Sequence, residues 1–159
     1  MRSFSNLWYW IALAVLWSTS SHWVIGVPFD MITRARRFGG EAEADLHDIV
    51  RVNVNRILYI IDTAGIWIIA IGCFALTMLA LLGFVYSVEF AQAVFLLTAP
   101  MGILSWMSVR TAQKIRDADG AGLHEKLQMH RFLTQILGMV SIFVTAFWGM
   151  WQNMTLGVL

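Results

Sequence analysis

Cysteine is almost absent from this chain: Cys73 is the only one in 159 residues. That excludes an internal disulfide and any metal or cluster site built from several thiolates. Cys73 lies inside an apolar run and is expected to be a small buried hydrophobe. Proline is nearly as scarce. Pro28 and Pro100 both lie outside the stretch from Glu41 to Tyr86, so no proline interrupts a long helix there. Charge is thin as well, at 13% of residues, against about 25% in soluble domains. The basic residues are interleaved with acids rather than massed, which argues against nucleic acid as a partner. A nucleophile–base constellation, a phosphate loop and a dinucleotide fingerprint are all missing. Asp117-Ala-Asp-Gly resembles half of a calcium loop but lacks the later ligands. His47, Glu43 and Asp48 show no metal-ligand spacing. No catalytic residue, cofactor or metal is therefore expected.

What the chain has is apolar length. Hydrophobic residues make up 58% of it, with a mean hydropathy of +0.67. Four runs are long enough for a membrane-spanning helix, which needs about 20 mostly apolar residues. They are 7–27, 57–86, 90–109 and 132–156. The first is read as a span rather than a cleaved leader, because its apolar stretch is long and no small-x-small site follows it. Several tryptophans, among them Trp8, Trp23, Trp106 and Trp151, lie near span ends, where amphipathic rings favour the headgroup region. The expected fold class is all-α: one four-helix transmembrane domain over 1–159, with helical extensions in the segments 28–56 and 110–131.

Those two segments hold ten of the 11 basic residues, Arg2 being the exception. By the positive-inside rule they face the cytoplasm, and four crossings then put both termini on the opposite side. From Gly39-Gly40 onward, Glu41, Glu43 and Asp45 suit the start of a helix. A helix from there to Tyr86 would be roughly 69 Å long at 1.5 Å per residue, so its first part must project beyond the bilayer. The third span should run on to Arg116, turn at Asp117–Gly122 and return as the fourth. Pro28 is expected to end the first helix. Beyond it, Phe29, Met31, Ile32 and Phe38 alternate with Arg34, Arg36 and Arg37, as in a short amphipathic segment lying on the inner membrane surface.

Asp62 is the principal polar candidate within the spans. It is read as an interfacial carboxylate that snorkels or pairs with a base such as Arg131, as part of an ion path, or as a contact to another subunit. Ser18 and His22, one turn apart, form a second polar face that could line such a path. His22 and His130, at similar depth, are the candidate ligands should a haem or pigment bind. Glu89 and Gln92 are placed in the outer turn, and the carboxylate there is read as exposed. Gly65, Gly72, Ala75 and Gly83 in the second span, and Gly138, Ser141, Thr145 and Gly149 in the fourth, form small-residue stripes suited to close helix packing, within the chain or against another subunit. Glu41, Asp45 and Arg116 mark a candidate docking face on the projecting helices.

The segments SNLWYWIALAVLWSTSSHWVIGVPFDMITRARR, EADLHDIVRVNVNRILYI and VEFAQAVFLL resemble a group of small bacterial inner-membrane proteins, some of which carry the label "component of SufBCD complex". The resemblance implies a small bacterial inner-membrane protein and brings no catalytic motif onto these positions. The label implies a link to iron–sulfur assembly, for which a single cysteine supplies no ligand set. Taken together, the residues point to a non-catalytic accessory, scaffold or assembly subunit of a larger membrane complex, of bioenergetic kind, with the lipid bilayer and other membrane subunits as partners. The alternatives are a homo-oligomeric channel or carrier for an ion or small solute, and a haem or pigment binder.

Overall fold

A computed structural model of the protein describes residues 3–156. The chain is all-α apart from one small hairpin. In order, its elements are α1 (Leu7–His22), β1 (Trp23–Val24), β2 (Val27–Pro28), α2 (Phe29–Phe38), α3 (Glu41–Ala80), a π-helical turn (Leu81–Val85), α4 (Glu89–Asp117) and α5 (Leu123–Leu156). Three helical stretches, Glu41–Val85, Glu89–Asp117 and Leu123–Thr155, are long and apolar enough to cross a membrane. α1 is shorter: its 16 residues make roughly 24 Å at 1.5 Å per residue, against a hydrocarbon core of about 30 Å.

α1 starts where the Asn6 side chain accepts a hydrogen bond from the Trp8 N–H at 3.1 Å, filling one of the unpaired donors of a first turn. It ends at His22, not at Val27 as the hydropathy suggests. Trp23–Val24 and Val27–Pro28 pair antiparallel around Ile25 and Gly26, both with positive φ, as a tight two-residue hairpin demands. Asn53 on α3 donates to the Gly26 carbonyl at 3.3 Å and ties the hairpin to the long helix. Burial of Val24, Ile25 and Val27 holds the strained turn in place. Pro28 therefore does not terminate α1. It is the residue from which α2 begins, a position where its fixed φ and missing N–H are harmless.

α2 is amphipathic, as its sequence suggests, and part of its apolar side packs against the protein while Phe38 stays exposed. Ile32 and Ala35 are buried in one core with Leu46, Val50, Val54 and Leu58 of α3. Gly39 and Gly40, both with positive φ, reverse the chain between the two helices. A Cβ at either would meet nothing within 4 Å, so the backbone conformation, not crowding, calls for glycine. α2 and the first turns of α3 thus form a helical hairpin. The ends of α4 and α5 complete it, through Ala112, Ile115, Leu123 and Leu127.

Beyond Leu58 the packing changes. α4 packs against α3 and α5, and α5 against α1, while neither α1 nor α5 makes a substantial interface with α3. In the most apolar window of each helix, 6% of residues are buried for α3 and its π turn, 17% for α4 and 28% for α5. α3 is therefore the least covered of the three. Its small-residue stripe is open only in the middle: a Cβ on Gly72 would meet nothing and Ala75 is exposed, while Gly65 and Gly83 are buried. Cys73, expected to be buried, is exposed on the same stretch. The stripe on α5 faces inward instead. A Cβ on Gly138 would come within 2.9 Å of the Trp17 ring, and one on Gly149 within 3.3 Å of Phe4.

Candidate functional site

The end of the molecule that carries the basic segments is a small helical bundle with charged flanks. Its floor is the apolar core just described. Above it, a cleft of about 310 Å³ opens between α3 and the α4–α5 turn, with Val50, Val54, Ile115 and Leu123 at its base. His47, Arg51 and Asn55 stand on one side of the cleft, Arg116 and Asp119 on the other. The turn is held by positive-φ Asp119, Gly120 and Gly122. A Cβ at Gly120 would approach the His47 ring to 3.3 Å, so the turn and α3 lie in close contact there. The charges are largely solvated. Arg51 pairs with Asp48 at 3.1 Å along its own helix, and Arg116 lies 3.9 Å from Asp117. Exposed pairs of this type are worth roughly 0–1 kcal/mol. A third contact is more telling, because it ties the start of α3 to the start of α5: Glu43 Oε1 and His124 Nε2 are 3.3 Å apart, both partly buried.

Glu41, Asp45 and Arg116 are exposed on this bundle. Asp62 is also exposed, and it has no ion-pair partner among the described residues. The expected base, Arg131, is engaged elsewhere: its guanidinium carbon lies 3.5 Å above the Phe29 ring. Ser18 and His22 are both exposed on α1, with the His22 ring edge-on to Trp23. Within one chain, then, Asp62 and the Ser18–His22 face line no internal path.

His130 is in a different setting from His22. It is 4% exposed, with Nδ1 3.1 Å from the Thr111 hydroxyl and Nε2 3.4 Å from that of Ser108. Both ring nitrogens are thus satisfied by α4, and the histidine serves as an interhelical clasp. The two hydroxyls lie three residues apart on one helix face, where side chains neighbour one another. That spacing is a signal in the sequence, but it becomes legible only once the antiparallel pairing of α4 and α5 is known. Among the described residues, no group of three or more His, Cys, Asp and Glu side chains is placed to hold a metal ion.

At the opposite end, Gln92 departs from expectation. It is 3% exposed, not a surface residue of the outer turn. Its Nε2 donates to the Gly83 carbonyl at 2.7 Å, and its Oε1 accepts from Trp148 Nε1 and Gln152 Nε2, each at 3.0 Å. The π turn places Gly83 against it so closely that a Cβ there would lie 3.0 Å from the Gln92 backbone nitrogen. Glu89 likewise is not free: its carboxylate accepts from the Phe4 N–H at 2.8 Å. This end is a polar clamp joining the π turn, α4 and α5.

Comparison of the chain with protein-family models, with curated proteins and with solved structures finds no match.

Proposed function

We propose that the protein is a non-catalytic accessory, scaffold or assembly subunit of a larger membrane complex, of bioenergetic kind. The observation that carries this reading is the contrast along α3. Its first turns are built into a well-packed bundle, while its apolar stretch is mostly exposed, with α4 along one side. A polar-flanked bundle beside an open transmembrane face suits a chain that grips another subunit at two levels.

In this reading the chain crosses a bacterial inner membrane four times. α1 is the fourth span, a short one of 16 residues, and the hairpin that follows it packs into the core of the basic bundle. Exposed Trp8 near one end and Trp23 at the other suit the two headgroup layers. The basic bundle lies in the cytoplasm and both termini in the periplasm, as the charge asymmetry requires. The channel or carrier reading needs several copies, since Asp62, Ser18 and His22 face outward and line a path only between chains.

Purification in mild detergent, with mass spectrometry of the intact assembly, tests the proposal. A different membrane protein retained at fixed stoichiometry is the expected result. A closed ring of this chain alone would favour the channel reading, and a lone monomer would refute both.

A further inference from the structure

The basic end of the α1–α5 interface holds a cation that internal packing leaves unmatched. Arg131 is half-buried on α5. Its Nε is buried with no hydrogen-bond partner, and no carboxylate lies within ion-pair reach among the described residues. The Phe29 ring beneath the guanidinium attracts the charge weakly and accepts nothing from Nε in its plane. Removing a cation from water without an anionic partner is unfavourable.

One turn further along the same face of α5 stands Gln135, whose Nε2 lies 3.4 Å from the Ser21 hydroxyl of α1. There a groove of about 390 Å³ opens between the two helices. Ser21 and Gln135 line its end nearer Arg131, and Ser18 stands further along beside Trp17. Gly138, Met139 and Ile142 continue it into the apolar stretch. Gly138 lets the Trp17 ring lie flat against α5. Along α5 the residues pass from the Arg131 cation, just beyond the groove, to the Gln135 amide beside Ser21 and then to Gly138, Met139 and Ile142, with the Ser18 hydroxyl on the facing helix. The four residues from Arg131 to Gln135 rise about 6 Å along α5, a step comparable to that from the phosphate to the ester oxygens of a glycerophospholipid.

We propose that this groove binds one anionic phospholipid of the inner leaflet, and the inference rests on the membrane reading above. The phosphate sits on Arg131. The ester region takes hydrogen bonds from Gln135, Ser21 and Ser18, and an acyl chain lies over Gly138, Met139 and Ile142. A free phosphate would satisfy the arginine and leave the groove unused. A helix of another subunit would fill the groove and leave the arginine unmatched.

The test is native mass spectrometry of the full chain in detergent, titrated with phosphatidylglycerol, phosphatidylcholine or inorganic phosphate. One phosphatidylglycerol per chain is expected, at least fivefold preferred over phosphatidylcholine, with no comparable phosphate adduct. Arg131→Gln should remove the preference and lower occupancy at least fivefold. Ser18→Leu, at an exposed position, should lower occupancy similarly by filling the groove, and it serves alone if the arginine variant fails to fold. Arg110→Gln, which removes a cation stacked on Trp106 at 4.8 Å, should change nothing. Equal binding of both lipids, indifference to Ser18→Leu, phosphate bound as tightly as lipid, or a groove sealed by a second chain would each overturn the site. Alkaline carbonate washing separates the two levels of inference. A chain released from membranes refutes the membrane reading itself, whereas a retained chain without a selective lipid adduct refutes the lipid site alone.

Discussion

The two halves of α3 share one continuous helix and very different surroundings. Leu46, Val50, Val54 and Leu58 recur every fourth residue and are 0–4% exposed. Ile66, Trp67 and Phe74, as apolar as any of them, are 84%, 70% and 68% exposed. The first half follows the logic of a soluble protein, where one stripe is buried because water drives it there. The second half does not bury its apolar residues within the chain, as expected if its surroundings are lipid tails, which are as apolar as leucine and provide no such drive between helices. Apolar sequence thus has two meanings in one helix, and protein-mediated stability concentrates in the projecting bundle.

The sharpest way to break that comparison is to remove equal apolar volume from each half. Leu46→Ala or Leu127→Ala, both at positions with 0% exposure, should destabilise by about 2–5 kcal/mol. Ile66→Ala should change stability by less than about 0.5 kcal/mol, as substitutions away from packed features do. Denaturant titration in a fixed detergent, followed by circular dichroism, reads both. Similar losses at the two positions would mean that α3 is covered by protein along its whole length.

Glycines give a second contrast, with a smaller difference. Gly83→Val forces side-chain atoms towards Gln92, where a Cβ already meets the backbone nitrogen at 3.0 Å. Overpacking of this kind costs about 1–3 kcal/mol. Gly72→Ala meets nothing within 4 Å and should be neutral or gain up to about 1 kcal/mol from helix propensity. The same titration, run on the two variants side by side, would show opposite shifts in midpoint.

The Gln92 clamp tests whether the end of the molecule away from the basic bundle has any stabilising device of its own. Gln92→Leu leaves the Trp148 and Gln152 donors and the Gly83 carbonyl without partners, and each unmade buried bond costs about 1–3 kcal/mol. A loss near the lower bound is expected, because neighbouring groups re-pair. Indole fluorescence of Trp148 should shift in step with the melting midpoint. An unchanged midpoint would show that the π turn is held by packing alone.

The long helices are legible in the sequence for a simple reason: between Glu41 and Tyr86 no residue disfavours helix strongly enough to stop it, and Gly39-Gly40 and Asp117–Gly122 punctuate clearly. The end of α1 is not legible from hydropathy, because Trp-Val-Ile-Gly-Val-Pro is apolar whether it forms a helix or a tight hairpin. The available signal was Gly26 two residues before Pro28. α2 was legible as an amphipathic helix, but its partner was not, since a bilayer surface and the Leu46–Val50 face offer the same apolar environment. Gln92 could not be placed from sequence, because its burial depends on a π turn that brings Gly83 beside it. The exposure of Cys73 has the same origin as the bareness of α3: membership of an apolar run does not say what covers it.

The smallest structural effect is expected at Asp62, and it is the most informative about function. The carboxylate is exposed and unpaired among the described residues, so Asp62→Asn breaks no contact and should leave folding unchanged. If the protein is an accessory subunit, the variant retains its partner at wild-type stoichiometry. Charge reversal at Glu41, Asp45 and Arg116, which project from the packed bundle, should instead reduce partner recovery severalfold without altering the melt. If copies of the chain surround a path through which Asp62 conducts, the pattern inverts. An intramembrane carboxylate on such a path is the coordinating or titrating group, so flux through reconstituted vesicles would vanish in Asp62→Asn while assembly survived all three reversals. Measuring flux and partner recovery on the same four variants decides between the two halves of α3 as the seat of function: the open apolar stretch with its one carboxylate, or the bundle beneath it.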